Sequence, residues 1–328
     1  MIRKTSFTFK LSPAQQAALT ALLKAGNYIP RELEHTLIAV EGPDCNIALY
    51  KSGKCLVQGK GAHDWITFVL EPQILQEVRL GYEEVLDPES TQPHMGVDES
   101  GKGDFFGPLV ISAAYVNPAL AHTLKEMDVR DSKTITTDRK AESMAADIRK
   151  LLGPRFALIV VGPAAYNRLY ASMRSVNRIL AWGHARAIEN LLEKVPDCPR
   201  ALSDQFGPVR QIEQALMQKG RSIKLVQKHK AESDIAVAAA SILARAGFLA
   251  ALRSLREKYG SEFPKGASGA TQEAAVKLIA KAGPKVLIDV AKCHFKTTDA
   301  VLEKAGCSRR DLGPEGQVVS KPYTRKHA

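Results

Sequence analysis

The chain has 328 residues, and its 46 lysines and arginines outnumber its 35 aspartates and glutamates, which gives a formal net charge of +11 and a pI near 9.4. Hydrophobic residues make up 45% and charged residues 25% of the chain, as in an ordinary globular protein, so a disordered, collagen-like or coiled-coil chain is excluded. The length favours two domains or one large domain with an appendage, and the basic excess favours a polyanionic partner.

The sequence carries no signal for export or for a membrane. Its start lacks the apolar core of a signal peptide, and its longest apolar runs, such as residues 236–243, are far shorter than the roughly 20 residues that cross a bilayer. The five cysteines are scattered and form no CxxC pair. We therefore predict a cytoplasmic protein with reduced cysteines, no structural zinc and no membrane contact. No protein partner is implied.

Charge divides the chain near residue 90. Residues 1–70 carry a net charge of +3, whereas residues 71–90 carry −5 and end in a Pro- and Ser-containing stretch typical of a linker. The C-terminal end mixes glycine, proline and charge. We predict the following domains: an N-terminal α+β domain at 1–70, an acidic linker at 71–92, a larger domain at 93–308, and a mobile basic tail at 309–328.

The first domain begins with a strand-like alternation at 7–11. Ser12 and Pro13 then predict the start of a helix that ends at Gly26, because Ser is a preferred N-cap and Pro suits the first helical position. Three short strands are predicted further along, at 36–41, 46–51 and 54–58.

The second domain alternates strands and helices, which predicts an α/β sheet covered by helices. Strands are predicted at 94–97, 109–116, 156–161, 200–204 and 223–226. Helices are predicted at 138–152, 163–172, 176–194, 208–219, 232–258 and 271–282.

The strongest chemical signal is the run from Gly96 to Pro108, GVDESGKGDFFGP. Asp98 and Glu99 follow a short apolar strand, and the turn after it can bring both carboxylates toward one ion. Glycines on either side of Lys102 allow the backbone to approach a ligand closely. The run lacks the GxxxxGK[ST] pattern, which argues against a P-loop. The alternative is a surface turn with solvated acids.

Two further acids lie at predicted element ends. Asp204 follows an apolar strand and Asp234 precedes an apolar helix, so each also has a structural alternative, as a loop-capping residue and as a helix N-cap respectively. Together with Asp98 and Glu99 they supply four carboxylates, the ligands that Mg²⁺ and Mn²⁺ prefer. Because clustered carboxylates repel one another, such a site implies metal.

The run VDESGKGDFFGPLV resembles the DEsGkGd motif of bacterial ribonuclease HIII, a type 2 ribonuclease H. The resemblance extends over about residues 94–300 through further segments in the expected order: 131–133, 177–185, 203–204, 229–233, 240–245 and 294–298. It implies a ribonuclease H-like mixed sheet with flanking helices in the larger domain. It also implies that the N-terminal domain binds substrate and is similar to the TATA-box-binding protein.

The resemblance also implies an activity and a site. A ribonuclease H of this kind is an endonuclease that hydrolyses the RNA strand of RNA–DNA hybrids with two divalent ions, Mg²⁺ or Mn²⁺, and leaves a 5′-phosphate and a 3′-hydroxyl. The four carboxylates match the metal-binding and catalytic positions, and Gly101, Lys102 and Gly103 resemble the sensor of the ribose 2′-hydroxyl. We also predict substrate contacts for four more polar residues: Lys133, Asn177, Arg178 and Lys230. Ser100 and Asp104 receive no role.

Two alternatives to this function remain open at the level of sequence. Ribonucleases HII read a single embedded ribonucleotide with a tyrosine in a KGY-type segment, whereas the corresponding stretch here, 263–271, contains no tyrosine. This departure favours cleavage within longer RNA runs over excision at single ribonucleotides. The other alternative is a non-catalytic hybrid-binding protein, but a polyanion binder gains nothing from clustered negative charge.

Overall fold

The computed structural model describes residues 5–76, 91–129, 135–204, 208, 210–216, 220, 223–228 and 231–319. The chain folds into two compact units, and the division between them falls between Glu89 and Ser90. The predicted boundary near residue 90 agrees with this division. The linker was predicted to begin at residue 71, but the N-terminal unit continues beyond it, because Ile74 and Leu75 are buried in its core.

The N-terminal unit is a five-stranded antiparallel sheet with helices packed on it, in the order β1-β5-β4-β3-β2. Its strands are β1 (Ser6–Lys10), β2 (Ile29–Pro30), β3 (Thr36–Gly42), β4 (Cys45–Tyr50) and β5 (Lys54–Gln58). Helix α1 spans Pro13–Ala25, and a short helix α2 (Ala62–Trp65) continues into a wider π-type helix at Ile66–Leu75. The Ser12 side chain accepts a hydrogen bond from the Gln15 amide, and the Gln15 side chain accepts one from Ser12, which confirms the predicted helix start.

The second unit is built on a mixed five-stranded sheet in the order β10-β9-β6-β7-β8. Its strands are β6 (His94–Ser100), β7 (Leu109–Val116), β8 (Phe156–Val161), β9 (Arg200–Asp204) and β10 (Lys224–Lys228). The pairs β10–β9 and β9–β6 are parallel, and β6–β7 and β7–β8 are antiparallel. This sheet confirms the predicted fold class. Strand β6 is longer than predicted, since Asp98 and Glu99 still pair with β7.

Helices cover both faces of this sheet. They are α3 (Pro118–Glu126), α4 (Asp138–Leu152), α5 (Pro163–Met173), α6 (Val176–Leu192), α7 (Arg210–Ala215), α8 (Ile235–Tyr259), α9 (Gly269–Ala282), α10 (Val286–Val290) and α11 (Thr297–Lys304). Met95 and Val97 of β6 pack against α5 and α6, whereas α4 and α8 cover the opposite face. At Gly96 the α8 backbone lies so close that a Cβ atom would come within 2.1 Å of the Val237 nitrogen.

The tail predicted to begin at residue 309 is part of the second unit as far as residue 319. Arg309–Leu312 and Pro314–Gly316 form 3₁₀ turns, and Leu312 is buried. The Arg309 guanidinium donates hydrogen bonds to the carbonyl oxygens of Cys293 and Gly316 at 2.8 and 2.6 Å. An arginine that satisfies buried carbonyl groups holds the chain in place, so its charge was a misleading signal for a mobile tail.

Among the described residues, one helix is long and apolar enough to cross a membrane by length and composition alone. This helix is α8, and 72% of its most apolar stretch is buried inside the protein. Because α8 packs against β6, β7 and α4, its apolar surface serves the core of the second unit.

Candidate active site

Asp98 and Asp204 lie at the carboxyl ends of two adjacent parallel strands. Val97 of β6 pairs with Ser203 of β9, so the next residue on each strand places these two aspartates side by side, about 4.8 Å apart along the sheet. Both project toward the face covered by α8, where Ser241 hydrogen-bonds to Asp98. The Asp204 carboxylate accepts a 3.4 Å hydrogen bond from the Ala231 amide. The predicted pair of aspartates is therefore brought together.

Glu99 points to the other face of the sheet, where His184 of α6 holds it. The Nε2 atom of His184 lies 3.0 Å from Glu99 Oε2, and Lys102 Nζ lies 3.4 Å from Glu99 Oε1. Burial raises the pKa of Glu99, but the hydrogen bonds from His184 and Lys102 outweigh burial and leave that pKa below its ordinary value. Glu99 is thus ionised in the folded protein at neutral pH.

Asp98 has the opposite electrostatic setting. Burial, followed by the adjacent negative charge of Glu99, raises the pKa of Asp98 to about 6, although hydrogen bonds from Ser241 and the Glu99 amide work against the shift. A cation at this place would relieve the repulsion between the two carboxylates. The oxygen-only donor set of Asp98, Glu99 and Asp204 fits a hard divalent ion such as Mg²⁺ or Mn²⁺.

The structure gives Asp234 a different role from the predicted one. Asp234 is the N-cap of α8, where its carboxylate accepts hydrogen bonds from the Ala236 and Val237 amides, and both its oxygens lie 3.0 Å from His94 Nε2. His94 begins β6, and its Cα atom lies about 13 Å from that of Asp98 at the usual strand rise. Asp234 therefore has the structural role of a helix cap, and we do not include it in the ligand set proposed below.

Within the described part of the chain, no group of three or more acidic, histidine or cysteine side chains is arranged so that it could hold a metal ion. The three remaining acids come from opposite faces at the end of the sheet, which explains why they do not converge on one point. A candidate for the fourth acid lies two residues before Asp234 in the sequence. Glu232 belongs to the 3₁₀ turn Ala231–Ser233, whose first amide contacts Asp204.

The two glycines of the turn after β6 have different surroundings, which the sequence could not distinguish. Gly101 is buried with φ +86°, and a Cβ atom there would come within 2.3 Å of the Pro108 carbonyl oxygen, so the turn itself requires glycine. Gly103 is exposed, has no positive φ and has no atom within 4 Å of the Cβ position. Lys102 between them is 42% exposed. The open side of Gly103 and Lys102 is available to a ligand.

A buried lysine that the sequence pattern did not reveal fixes the far side of this turn. Lys292 is fully buried, and its Nζ donates hydrogen bonds to the carbonyl oxygens of Phe106, Gly107 and Pro108 at 3.3, 2.7 and 3.4 Å. Burial lowers the pKa of Lys292 to about 7. Its position directly before the Cys-His-Phe segment could have indicated that Lys292 is buried. A lysine in a basic chain is, however, usually interpreted as a surface residue.

Asp104, for which the sequence predicted no role, connects the glycine turn to the stretch 263–271. Its Oδ1 accepts a 2.6 Å hydrogen bond from the Gly266 amide, and the Phe105 amide donates to the Gly266 carbonyl oxygen at 2.9 Å. The glycine turn and the 263–271 stretch therefore meet at the same place.

The remaining predicted substrate residues fall into two groups. Asn177 and Arg178 lie in the first turn of α6, and Asn177 lies two helical turns before His184 on the same helix face. Arg178 is exposed and Asn177 is half-buried. Lys133 and Lys230 lie outside the described residues.

The mixed sheet, with acids at the ends of its adjacent parallel strands, is that of a metal-dependent nuclease of the ribonuclease H type. The sequence model of the ribonuclease HII family matches residues 95–298, which include every element of this site. The chain belongs to the type 2 ribonuclease H family, and within it to the ribonuclease HIII group, because its relatives of that name match it over most of its length.

Ribonuclease HIII of Protochlamydia amoebophila (strain UWE25) is 41% identical over 258 residues, which are 79% of this chain and 84% of that protein. Ribonuclease HIII of Chlamydia muridarum (strain MoPn / Nigg) is 39% identical over 305 residues, 92% of this chain and 99% of that protein. The solved structure of Bst-RNase HIII in complex with Mn²⁺ superimposes with a TM-score of 0.64 at 28% identity and covers 92% of this chain and 99% of its own. These comparisons confirm the resemblance inferred from the DESGKGD run.

Proposed function

We propose that this ribonuclease H hydrolyses the RNA strand of RNA–DNA hybrids at a site formed by Asp98, Glu99 and Asp204, with Glu232 as the fourth acid. The activity and the use of divalent ions, Mg²⁺ or Mn²⁺, follow from membership of the family. The non-catalytic alternative is thereby wrong. The observation that supports the ligand set is the register of β6 and β9, which puts two aspartates side by side next to Glu99.

Asp98, Glu99 and Asp204, together with Glu232, would hold two divalent ions, which would supply the charge that activates a water molecule and stabilises the leaving 3′ oxygen. The residues of this chain do the rest. Asp98, Glu99 and Asp204 hold negative charge where the cations are needed, and the amides around Gly103 offer hydrogen-bond donors to the ribose 2′-hydroxyl, which distinguishes RNA from DNA. Lys102 adds a positive charge for the scissile strand. Because the 3′ oxygen is the leaving group, the products carry a 5′-phosphate and a 3′-hydroxyl.

The assignment of the fourth acid can be tested by two matched substitutions. Glu232→Gln should abolish most of the cleavage of an RNA–DNA hybrid at saturating Mg²⁺, whereas Asp234→Asn should leave kcat within several-fold of the wild-type value, since Asn caps helices nearly as well as Asp. The opposite ranking would return Asp234 to the site.

The choice of substrate can be tested by comparing cleavage of a labelled all-RNA/DNA hybrid with cleavage of a DNA duplex that carries one ribonucleotide. The absence of tyrosine from 263–271 favours cleavage within long RNA runs.

We further propose that the N-terminal unit binds the hybrid backbone. Its support is a net charge of +3 over residues 1–70 and the exposed side chains of Lys51 and Lys54 at the β4–β5 turn. Removal of residues 1–89 should raise KM and lower the slope of log K against log salt by roughly 0.9 for each lost phosphate contact. Equal affinity and slope for both proteins across a salt series would exclude a role in substrate binding. A solvated sheet edge guarded by lysines remains the structural alternative.

A further inference from the structure

His184 joins the two strands that carry the proposed ligands. It lies on α6 and is fully buried, and its neighbour Gly183 packs so closely on β7 that a Cβ atom would come within 2.6 Å of Ile111. Its Nε2 atom is 3.0 Å from Glu99 Oε2 on β6, and its Nδ1 atom is 3.1 Å from Ser203 Oγ on β9. A single imidazole ring therefore connects the C-terminal ends of β6 and β9.

The positions of the protons on this ring follow from counting donors. Ser203 has one hydroxyl proton and lies 3.0 Å from the Asp204 carbonyl oxygen as well as 3.1 Å from the ring. If the hydroxyl donates to the carbonyl, both ring nitrogens donate, and if it donates to Nδ1, only Nε2 carries a proton. An ionised carboxylate can only accept a hydrogen bond. In both cases, Nε2–H donates to Glu99 Oε2.

This hydrogen bond determines which oxygen of Glu99 faces outward. Oε2 is occupied by His184 on the buried side, and Oε1 lies toward Lys102, which is 42% exposed. Glu99 is therefore presented with Oε1 toward the open side of the site. Ser203, which lies close to both the imidazole ring and the Asp204 carbonyl oxygen, links His184 to the end of β9. Ordering a carboxylate before a metal binds reduces the entropy lost on binding.

We propose that His184, with Ser203, is a positioning residue that orients Glu99 and the end of β9 for metal binding. The proposal rests on the ligand set given above. Hydrogen bonds to ligand side chains change metal affinity by about 10- to 100-fold when they are removed. His184 acts through Glu99, so its loss should weaken metal affinity without removing a ligand.

The test compares side chains that keep or lose one of the two hydrogen bonds. Gln places its amide nitrogen close to the position of Nε2, and Asn places its nitrogen close to that of Nδ1. In full-length protein without substrate, titration calorimetry with Mn²⁺ should show that His184→Leu and His184→Asn each weaken binding by about 10- to 100-fold, while His184→Gln stays within about threefold of wild type. Ser203→Ala should have an intermediate effect.

The control is the other buried histidine–acid pair on the same strand. His94→Asn removes the contact that His94 Nε2 makes with Asp234 at the opposite end of β6, because the Asn nitrogen lies near the position of Nδ1. It should lower the melting temperature while Mn²⁺ affinity is retained. Equal Mn²⁺ affinity for His184→Gln and His184→Asn would overturn the proposal, and this comparison remains valid even if His184→Leu fails to fold.

A further variant, Glu99→Gln, separates this proposal from the proposed ligand set. If Glu99→Gln weakens Mn²⁺ binding and no His184 variant does so, the positioning role is wrong and the ligand set stands. If Glu99→Gln itself binds Mn²⁺ like the wild type, the ligand set is wrong.

Discussion

Strand β6 has a buried histidine–carboxylate pair near each end, and the two pairs differ in what remains for a ligand. At the start, Asp234 accepts hydrogen bonds from His94 and from two amides of α8, and it is only 9% exposed. Near the end, Glu99 accepts one hydrogen bond from His184 through Oε2 and one from the exposed Lys102 through Oε1. The first carboxylate is bound by buried groups of the fold, whereas the second has one oxygen bound by a buried histidine and the other by an exposed lysine.

The charges around the two ends differ as well. Asp98, next to Glu99, has a pKa raised to about 6 by burial and by the neighbouring negative charge. We call the end of β6 that carries Asp98 and Glu99, the proposed ligands, its functional end. At the other end, the acid is at the positive N-terminus of a 25-residue helix, where a negative charge is favourable. Burial of an acid therefore does not distinguish the two roles, whereas the exposure of its hydrogen-bond partners and the neighbouring charges do.

The largest predicted effect separates the two ends by activity. Asp98→Asn, Glu99→Gln and Asp204→Asn should each lower kcat on an RNA–DNA hybrid by at least about a hundredfold, because bound metal ions contribute several kcal/mol of transition-state stabilisation. Asp234→Asn should stay within several-fold of wild type. Initial rates at saturating Mg²⁺ and again at saturating Mn²⁺ provide the measurement. A severe loss in Asp234→Asn with an unchanged melting temperature would contradict the comparison.

The second effect separates the ends by stability. Asp234→Ala removes the α8 cap and leaves His94 without its carboxylate partner, so the free energy of unfolding should fall by about 2–3 kcal/mol. Asp234→Asn should cost less than half of that, since Asn still caps the helix. Urea denaturation of both variants, followed by circular dichroism, measures the difference. A protein as stable as wild type after Asp234→Ala would show that the cap contributes nothing.

Stability should also depend on pH through the functional end. The folded pKa of Asp98, about 6, exceeds its unfolded value of about 3.9, so between these values the folded state binds more protons than the unfolded state. The contribution of Asp98 is therefore fully present below about pH 4 and is lost as pH rises through 6. The loss should be about 1–2 kcal/mol for this half-buried group.

The measurement compares metal-free wild type with Asp98→Asn in denaturant titrations from pH 4 to pH 7. The stability difference between the two proteins should shift in favour of the variant as pH rises. A difference that stays constant over this range would show that Asp98 is not perturbed by its surroundings. Asp234→Asn serves as the matched acid substitution at the other end of the strand.

The sequence predicted the fold because its periodic patterns and caps are local signals. Helix α4 occurs at the predicted residues, and Ser12 caps α1 as the Ser-Pro-x-Gln spacing indicates. The acids at the ends of β6 and β9 were predicted as ligands because each comes where an apolar strand ends. Asp234 was predicted as a ligand because a capping aspartate and a catalytic aspartate look alike next to an apolar helix. Its contact with His94, 140 residues away in sequence, could not be predicted.

The roles of His184, Lys292 and Asp104 could not be predicted from the sequence, for the same physical reason. Each acts through a partner that is distant in the chain: Glu99 lies 85 residues from His184, Gly107 lies 185 residues from Lys292, and Gly266 lies 162 residues from Asp104. The resemblance to a family identified the reaction, but the side chains that orient the site are found only when the strands and helices are packed together.

The smallest predicted effect sharpens the comparison within the functional end, in the glycine turn. Gly101→Ala should destabilise the protein by more than about 1 kcal/mol, because φ is +86° and the new Cβ atom would clash with the Pro108 carbonyl oxygen. Gly103→Ala should change stability by less than about 0.5 kcal/mol, since its Cβ atom would meet open space. If the open side of Gly103 receives the ribose, this methyl group should still raise KM for the hybrid several-fold. Thermal melting and steady-state kinetics of both variants separate a turn that only folds from one that also touches substrate. Unchanged KM and kcat in Gly103→Ala would assign the turn to the fold alone and leave recognition of the 2′-hydroxyl to another part of the site.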